Sequence, residues 1–242
     1  MNNDMRPIPV RTGAPGPSRI PAAREASLLA THKVLRNTYM LLSMTLLFSA
    51  AMAGLSMAIG APRGVGIVCS LAALALVWLV LPRTANSEKG LYVVFGMTGL
   101  LGFGLGPILN MYLTALPNGG LLIASALGGT GAIFLGLSAY VLTTRKDFSF
   151  MGGFLMTGVI TVLVLSLGTL VASLFGVNVS GIFLAISAAC MLLFSALILF
   201  DTSRIINGGE TNYILATVAL YLDIYNIFTS LLHLLGFASS DD

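Results

Sequence analysis

The sequence has 242 residues, of which 57% are hydrophobic and only 9% are charged, and its mean hydropathy is +0.95. Soluble domains carry about 25% charged residues, so this composition excludes soluble enzymes and nucleic-acid-binding proteins. The net charge of +3 is also too small to indicate a nucleic-acid partner. The composition predicts a protein that lies in a lipid bilayer.

The N-terminal segment, residues 1–37, is predicted to stay outside the membrane. Residues 1–21 contain five of the nine prolines together with three arginines, a composition that cannot bury a core. We therefore expect a disordered tail there, followed by a polar helical lead-in over residues 22–37. The segment is not a signal peptide, because the apolar run that follows is too long for one.

Seven apolar helices are predicted after this segment. Spans of about 20 residues fit the long charge-free gaps, whereas transmembrane strands would alternate polar and apolar residues over about 10 positions. Glycine, proline and asparagine turn signals divide those gaps. The predicted spans cover residues 38–59, 65–81, 91–113, 121–143, 150–175, 182–203 and 213–237, and a short tail, 238–242, ends the chain. The sequence thus predicts an all-α, seven-helix transmembrane bundle.

The distribution of basic residues predicts the orientation of the bundle. With a cytoplasmic N-terminus, eleven of the twelve lysines and arginines fall on the cytoplasmic side, and only Arg63 falls outside. The C-terminus is then external. One alternative is a six-span bundle whose last segment is re-entrant, which places the C-terminus inside; backbone leaves helical form at membrane depth only where it lines a cavity.

Three closely spaced glycines, Gly102, Gly104 and Gly106, lie in the third predicted span just before Pro107. They superficially resemble a phosphate-binding loop, but no soluble strand precedes them. Small residues within a span instead indicate close helix packing, with a kink at the proline.

Two carboxylates lie within the predicted spans, Asp201 at the end of the sixth and Asp223 near the middle of the seventh. An aspartate at the centre of a membrane helix costs about 2.5–3.5 kcal/mol, so such a residue indicates function, with a partner nearby. In a symmetric hairpin the two would differ in depth by roughly 10 Å at 1.5 Å per residue. Helix tilt or a longer sixth helix must close this gap.

If the two carboxylates meet in a low dielectric, they cannot both ionise readily and are predicted to share a proton. This is the physical basis of a pH switch. A deprotonated pair is also a hard-oxygen site for Ca²⁺, which needs six to eight oxygens, so Asn226, carbonyls and water would have to complete a weak site. No tightly bound cofactor is expected.

On the seventh helix Asp223, Asn226, Ser230 and His233 follow the spacing i, i+3, i+7, i+10, which places them on one face. We expect this polar stripe to face the bundle interior and to line or support a hydrated path. Hydrogen bonding between helices is the alternative role for Asn226 and Ser230.

Two segments carry a family resemblance, Leu199–Ile206 (LFDTSRII) and Ala219–Phe228 (ALYLDIYNIF). They resemble the signature of the Bax inhibitor (transmembrane Bax inhibitor motif) family, and the chain looks most like its bacterial branch. Further similarity lies in Lys146–Phe150, in Thr130 and Phe134, and in the glycine-rich third span ending Gly106-Pro107-Ile108. The resemblance covers nearly everything after residue 30.

The resemblance implies a seven-helix bundle acting as a pH-sensitive calcium leak, with Ca²⁺ as the transported ion. Asp201 and Asp223 match the family's proton sensor and gate. In bacterial relatives an arginine at the inner end of the second helix latches the pair, and Arg83 is the nearest match, although Leu81-Pro82-Arg83 replaces the family's run of basic residues. The resemblance also implies the bacterial inner (plasma) membrane as the location.

Two other classes of function stay open. The first is a non-enzymatic regulator that binds other membrane proteins, such as a membrane-bound protease or a stress or cell-death factor. The second is an intramembrane protease, of the aspartyl type with the two aspartates or of the serine type with Ser138 and His233. A hydrated stripe reaching both faces favours the leak, whereas a sealed bundle with an exposed groove of small residues favours the regulator.

Overall fold

The structure is a computed structural model that describes the backbone of residues 20–62 and 64–239 and the side chains of residues 31–62 and 64–239. Over these ranges it contains no strand, and seven of its helices are long and apolar enough to cross a membrane. This confirms the predicted fold class. Most of the predicted proline-rich tail, Arg63 and the last three residues lie outside the described residues.

The seven spanning helices follow one another with short connections. We number them α1 to α7: Ile20–Ala58, Val65–Thr84, Lys89–Ala115, Gly119–Thr144, Gly152–Leu174, Ser180–Ile206 and Tyr213–Ala238. The last is an uninterrupted helix of 26 residues, which spans about 39 Å at 1.5 Å per residue. It lacks the break in the backbone that a re-entrant segment requires.

Helices α3 and α7 form the centre of the bundle. In their most apolar stretches 56% of the residues are buried, against 33% or less in every other spanning helix. Helix α7 packs against α1, α3, α4 and α6, whereas α5 packs on α6 alone among the spanning helices. The polar face of α7 therefore lies within the protein and not against lipid.

Helix α2 continues past the predicted end at Pro82-Arg83. A π-helical turn, Leu76–Val80, precedes the proline, and the helix then extends to Thr84. Proline has no N–H to donate, and its ring crowds the carbonyl four residues earlier, so a widened turn lets the helix pass it. The predicted boundary was wrong because the wider turn accommodates the proline.

Close packing between α1 and α3 uses the glycines of α3. A Cβ added at Gly102 would lie 2.2 Å from the backbone oxygen of Ser49, and one at Gly106 would lie within 2.4 Å of the Ser56 side chain. This confirms that the glycines serve helix packing. Helix α3 runs without interruption through Pro107.

The two ends of the bundle differ in charge. The connections α2–α3, α4–α5 and α6–α7 lie at the end that we call the basic end, which carries Arg83, Lys89, Arg145, Lys146 and Arg204. The described part of the opposite end, called the neutral end, carries no lysine or arginine.

Candidate functional site

The candidate site lies where the last turns of α6 meet the middle of α7. Helix α6 runs to Ile206, three residues beyond the predicted span, and α7 begins directly after Asn212. The Asn212 side-chain oxygen accepts hydrogen bonds from the backbone N–H groups of Ile214 and Leu215, which is the standard cap of a helix N-terminus.

Asp201 and Asp223 meet at this site. Their side chains are neighbours across the α6–α7 interface, although the sequence alone left a gap in depth between them. The Asp223 residue is only 3% exposed, and its Oδ2 receives no hydrogen bond from a donor among the described residues. Two neighbouring buried carboxyl groups cannot both ionise readily, so this proximity supports the predicted sharing of a proton.

Arg204, and not Arg83, provides the positive charge beside this pair. Its Nη1 lies 3.8 Å from Oδ1 of Asp201, one turn away on α6, and its Nη2 lies 3.5 Å from Oε2 of Glu210. The Asp201 side chain is 12% exposed and that of Arg204 36%, so this end of the site reaches solvent. The pair thus has one sealed member, Asp223, and one that is open toward the basic end.

Arg83 lies at the basic end but makes no ion pair among the described residues. Its guanidinium instead donates a hydrogen bond to the Leu79 carbonyl of its own helix. In this structure Arg83 does not latch the aspartates, so its latch role stays a prediction for another state of the protein.

Two side chains anchor this region to neighbouring loops. The Ser203 hydroxyl accepts a hydrogen bond from the backbone N–H of Phe148 at 2.9 Å and donates one to the carbonyl of Lys146 at 3.3 Å. The Asn212 amide donates to the Ala85 carbonyl at 2.9 Å. The α4–α5 and α2–α3 loops are therefore both tied to the α6–α7 hairpin beside the pair.

In the α4–α5 loop, hydrogen bonds from the hydroxyl and the backbone N–H of Ser149 hold the pKa of Asp147 below its usual value. The carboxylate thus fixes the turn that leads into α5, and it does so only while it is ionised.

The rest of the predicted stripe on α7 also faces α6. The Ser230 side chain lies beside that of Cys190, and the His233 ring packs edge-on against Phe183 with centroids 5.8 Å apart. Asn226 donates to the Leu222 carbonyl of its own helix. His233 borders a cavity of about 360 Å³ at the neutral end. The stripe thus extends along α7 from Asp223 to that cavity.

The serine-protease alternative is excluded by position. Ser138 forms a 3.4 Å hydroxyl contact with Thr202, whereas His233 contacts Phe183. Thr202 and Phe183 are 19 positions apart on α6, which corresponds to about 28 Å along the helix. The two side chains cannot form a dyad.

A calcium site is only partly assembled. Among the described residues, no group of three or more histidine, cysteine, aspartate or glutamate side chains lies together. The carboxylates of Asp201 and Asp223 are present, but Arg204 competes with a cation beside the first of them. A passing Ca²⁺ ion would have to complete its shell largely with water and carbonyl oxygens.

Sequence reasoning missed a buried hydroxyl network on the opposite face of α7. The Tyr221 hydroxyl lies 2.7 Å from that of Ser49 on α1 and donates to the Thr98 carbonyl on α3 at 3.3 Å. Tyr221 is 1% exposed. No sequence signal joins positions 172 residues apart, whereas the Asp201–Arg204 contact follows i, i+3 spacing and was available from the sequence.

Comparison with known proteins identifies the family. The family model described as Bax1-I, inhibitor of apoptosis-promoting Bax1, matches residues 31–240, which include the whole site. The chain belongs to the Bax1-I family. The family resemblance predicted from the α6 and α7 segments is thereby confirmed.

Several bacterial proteins resemble the chain over most of their length. The modulator of FtsH protease YccA of Escherichia coli (strain K12) is 53% identical over 215 residues, which cover 89% of this chain and 94% of that protein. A membrane protein of Vibrio cholerae is 52% identical over 214 residues, covering 88% and 93%. A second Escherichia coli relative, of strain CFT073, is named inner membrane protein YccA and is 53% identical over the same coverage of 89% and 94%.

Proposed function

We propose that this chain is a non-enzymatic membrane regulator that binds and modulates a membrane-bound protease of the FtsH type. The observation that carries the proposal is the 53% identity to the modulator of FtsH protease YccA, which extends over 94% of that relative. Because the match covers 89% of this chain, we expect the chain to share the surfaces by which such a regulator contacts its partner.

The closed interior of the bundle supports this proposal over transport. Asp223 is 3% exposed, and the polar side chains between it and the neutral-end cavity are engaged with α6 or with their own helix. A regulator needs no hydrated path across the bilayer. A buried Asp223 beside an Asp201 that is partly exposed at the basic end fits a regulator whose protonation changes its effect on a partner.

The proposal includes a bacterial inner-membrane location with the N-terminus in the cytoplasm. The name of one relative gives the inner membrane. The lysines and arginines of the described loops lie at the basic end, which the positive-inside rule assigns to the cytoplasm. The aspartate pair would then be accessible from the cytoplasmic side.

A degradation assay in vesicles tests the regulator proposal. A purified FtsH-type protease and a model membrane substrate are reconstituted with the chain, without it, or with an unrelated seven-helix protein. We expect the chain alone to change the substrate half-life severalfold and to be captured with the protease. Equal half-lives in all three vesicle types would contradict the proposal. Vesicles with chain and substrate but no protease test the remaining intramembrane aspartyl protease hypothesis.

The aspartate pair favours a second candidate function, the pH-sensitive calcium leak. The test is Ca²⁺ entry into liposomes from about pH 5 to about pH 9, measured for the chain and for variants that lack one carboxyl of the pair. We expect Asp201→Asn and Asp223→Asn each to abolish the pH response, since neither variant retains a proton to share. Arg83→Ala should raise the Ca²⁺ flux at neutral pH if Arg83 latches the aspartate pair in another state of the protein. Flux no greater than in empty liposomes would exclude the leak.

A further inference from the structure

A groove opens sideways from the bundle between α1 and α4, whose backbones stay apart and which meet through the rings of Tyr39 and Phe134, with centroids 6.0 Å apart. It encloses about 470 Å³, and its floor is formed by Tyr221 and Phe228 of α7. Ala50 on α1 and Leu127 on α4 stand at its rim and are exposed to the surrounding lipid. We call this feature the α1–α4 groove. It is continuous with the lipid-facing surface of the bundle.

The lining of the α1–α4 groove is apolar and carries no charged side chain. Four of its side chains carry a hydroxyl, Ser49, Thr130, Tyr221 and Tyr225. The first and third bond to each other, and Thr130 donates to the Ala126 carbonyl of its own helix, so most of the surface offers water no partner. We therefore expect the groove to hold an apolar molecule.

The dimensions of the groove select the kind of occupant. Its lining on α1 runs from Leu46 to Met57, which is about 16 Å at 1.5 Å per residue. Half of a hydrocarbon core of about 30 Å is nearly the same length. A helix that crosses the bilayer needs a groove about 30 Å long, nearly twice this length, whereas one acyl chain extends over a single leaflet.

We propose that the α1–α4 groove binds one acyl chain of a membrane lipid from the leaflet at the neutral end. The chain enters from the side and lies along α7. Two of the residues it contacts, Tyr221 and Ile224, flank Asp223 in the sequence of that helix. Lipid in the groove therefore contacts α7, the helix that carries Asp223. This proposal stands independently of the proposed function.

Glycines in the structure provide matched variants for a test. Gly54 on α1 and Gly131 on α4 line opposite walls of the groove, and a Cβ at either meets nothing within 4 Å, so a larger side chain enters the open space. Gly136 on α4 also has nothing within 4 Å but does not line the groove. Gly54→Phe and Gly131→Phe therefore fill the groove from two sides, and Gly136→Phe is the control.

The experiment uses the purified full chain in vesicles of phosphatidylethanolamine and phosphatidylglycerol containing a trace of phosphatidylcholine with a photoreactive diazirine in mid-chain. Labelled residues are mapped by mass spectrometry, and exposed Leu167 and Leu170 of α5 report ordinary surrounding lipid. We expect labels on Leu105 and Phe228, reduced at least fivefold by each groove-filling variant and unchanged by the control, with α5 labelling constant throughout.

Two results would overturn the proposal. One is labelling of α5 without labelling inside the groove, which would leave the space to a partner helix or a second copy of the chain. The other is groove labelling that persists in both filling variants, since the label would then not depend on the open space.

Discussion

Replacing Gly102 by alanine tests the packing that positions α7. The added Cβ would lie 2.2 Å from the Ser49 backbone oxygen and 2.6 Å from its hydroxyl, and backbone cannot yield as a flexible side chain does. Overpacking costs about 1–3 kcal/mol, and a backbone clash belongs at the upper end. Alanine recovers about 0.5–1 kcal/mol of helix propensity. The net loss is about 2 kcal/mol, or roughly 30-fold in the folding equilibrium.

Unfolding of the purified protein in mixed micelles by increasing denaturing detergent measures this effect. Gly136→Ala is the matched control on α4, because its Cβ meets nothing within 4 Å, and we expect it to be neutral or slightly stabilising. The reasoning would be refuted if Gly102→Ala proved as stable as Gly136→Ala. The α1–α3 contact would then be loose enough to accept a methyl group.

Three further substitutions have defined outcomes. Tyr221→Phe removes the hydroxyl that bonds Ser49 and should destabilise the bundle by about 0.6 kcal/mol, the mean for such bonds within membranes, in the same unfolding assay. Arg204→Gln removes the cation beside the aspartates and should move the midpoint of any proton-linked response to higher pH, whereas Arg204→Lys keeps the charge and the midpoint. Identical midpoints in the two variants would show that the ion pair is irrelevant. Ser149→Ala should raise the pKa of Asp147 toward 3.8, which carbon NMR titration of that carboxyl measures. The stabilisation that this carboxylate provides above its unfolded-state pKa, and that is lost as pH falls through the folded-state pKa, should become smaller.

The number of helices and the interior face of α7 could be predicted from the sequence, because both follow from local periodicity and turn residues. The spacing of Asp223, Asn226, Ser230 and His233 defines one face of a helix whatever its neighbours are. The resemblance carried by the last two helices named the correct family.

What the sequence could not supply depends on contacts between distant positions. The depth of Asp201 relative to Asp223 is set by the length and packing of α6, and a symmetric hairpin estimate misplaced it by about two turns. The assignment of Arg83 as counter-charge followed the family pattern, whereas the cation beside the pair is Arg204. The continuation of α2 through Pro82 required a π-helical turn that composition does not reveal.

The central claim is that this chain modulates a membrane-bound protease without conducting Ca²⁺. One vesicle preparation tests it directly, with the chain, an FtsH-type protease, a fluorescent membrane substrate inside the bilayer and a Ca²⁺ dye in the lumen. The account predicts a severalfold change in substrate half-life with Ca²⁺ entry no greater than in vesicles lacking the chain. Ca²⁺ entry that depends on Asp223, with an unchanged substrate half-life, would contradict it and establish the leak instead.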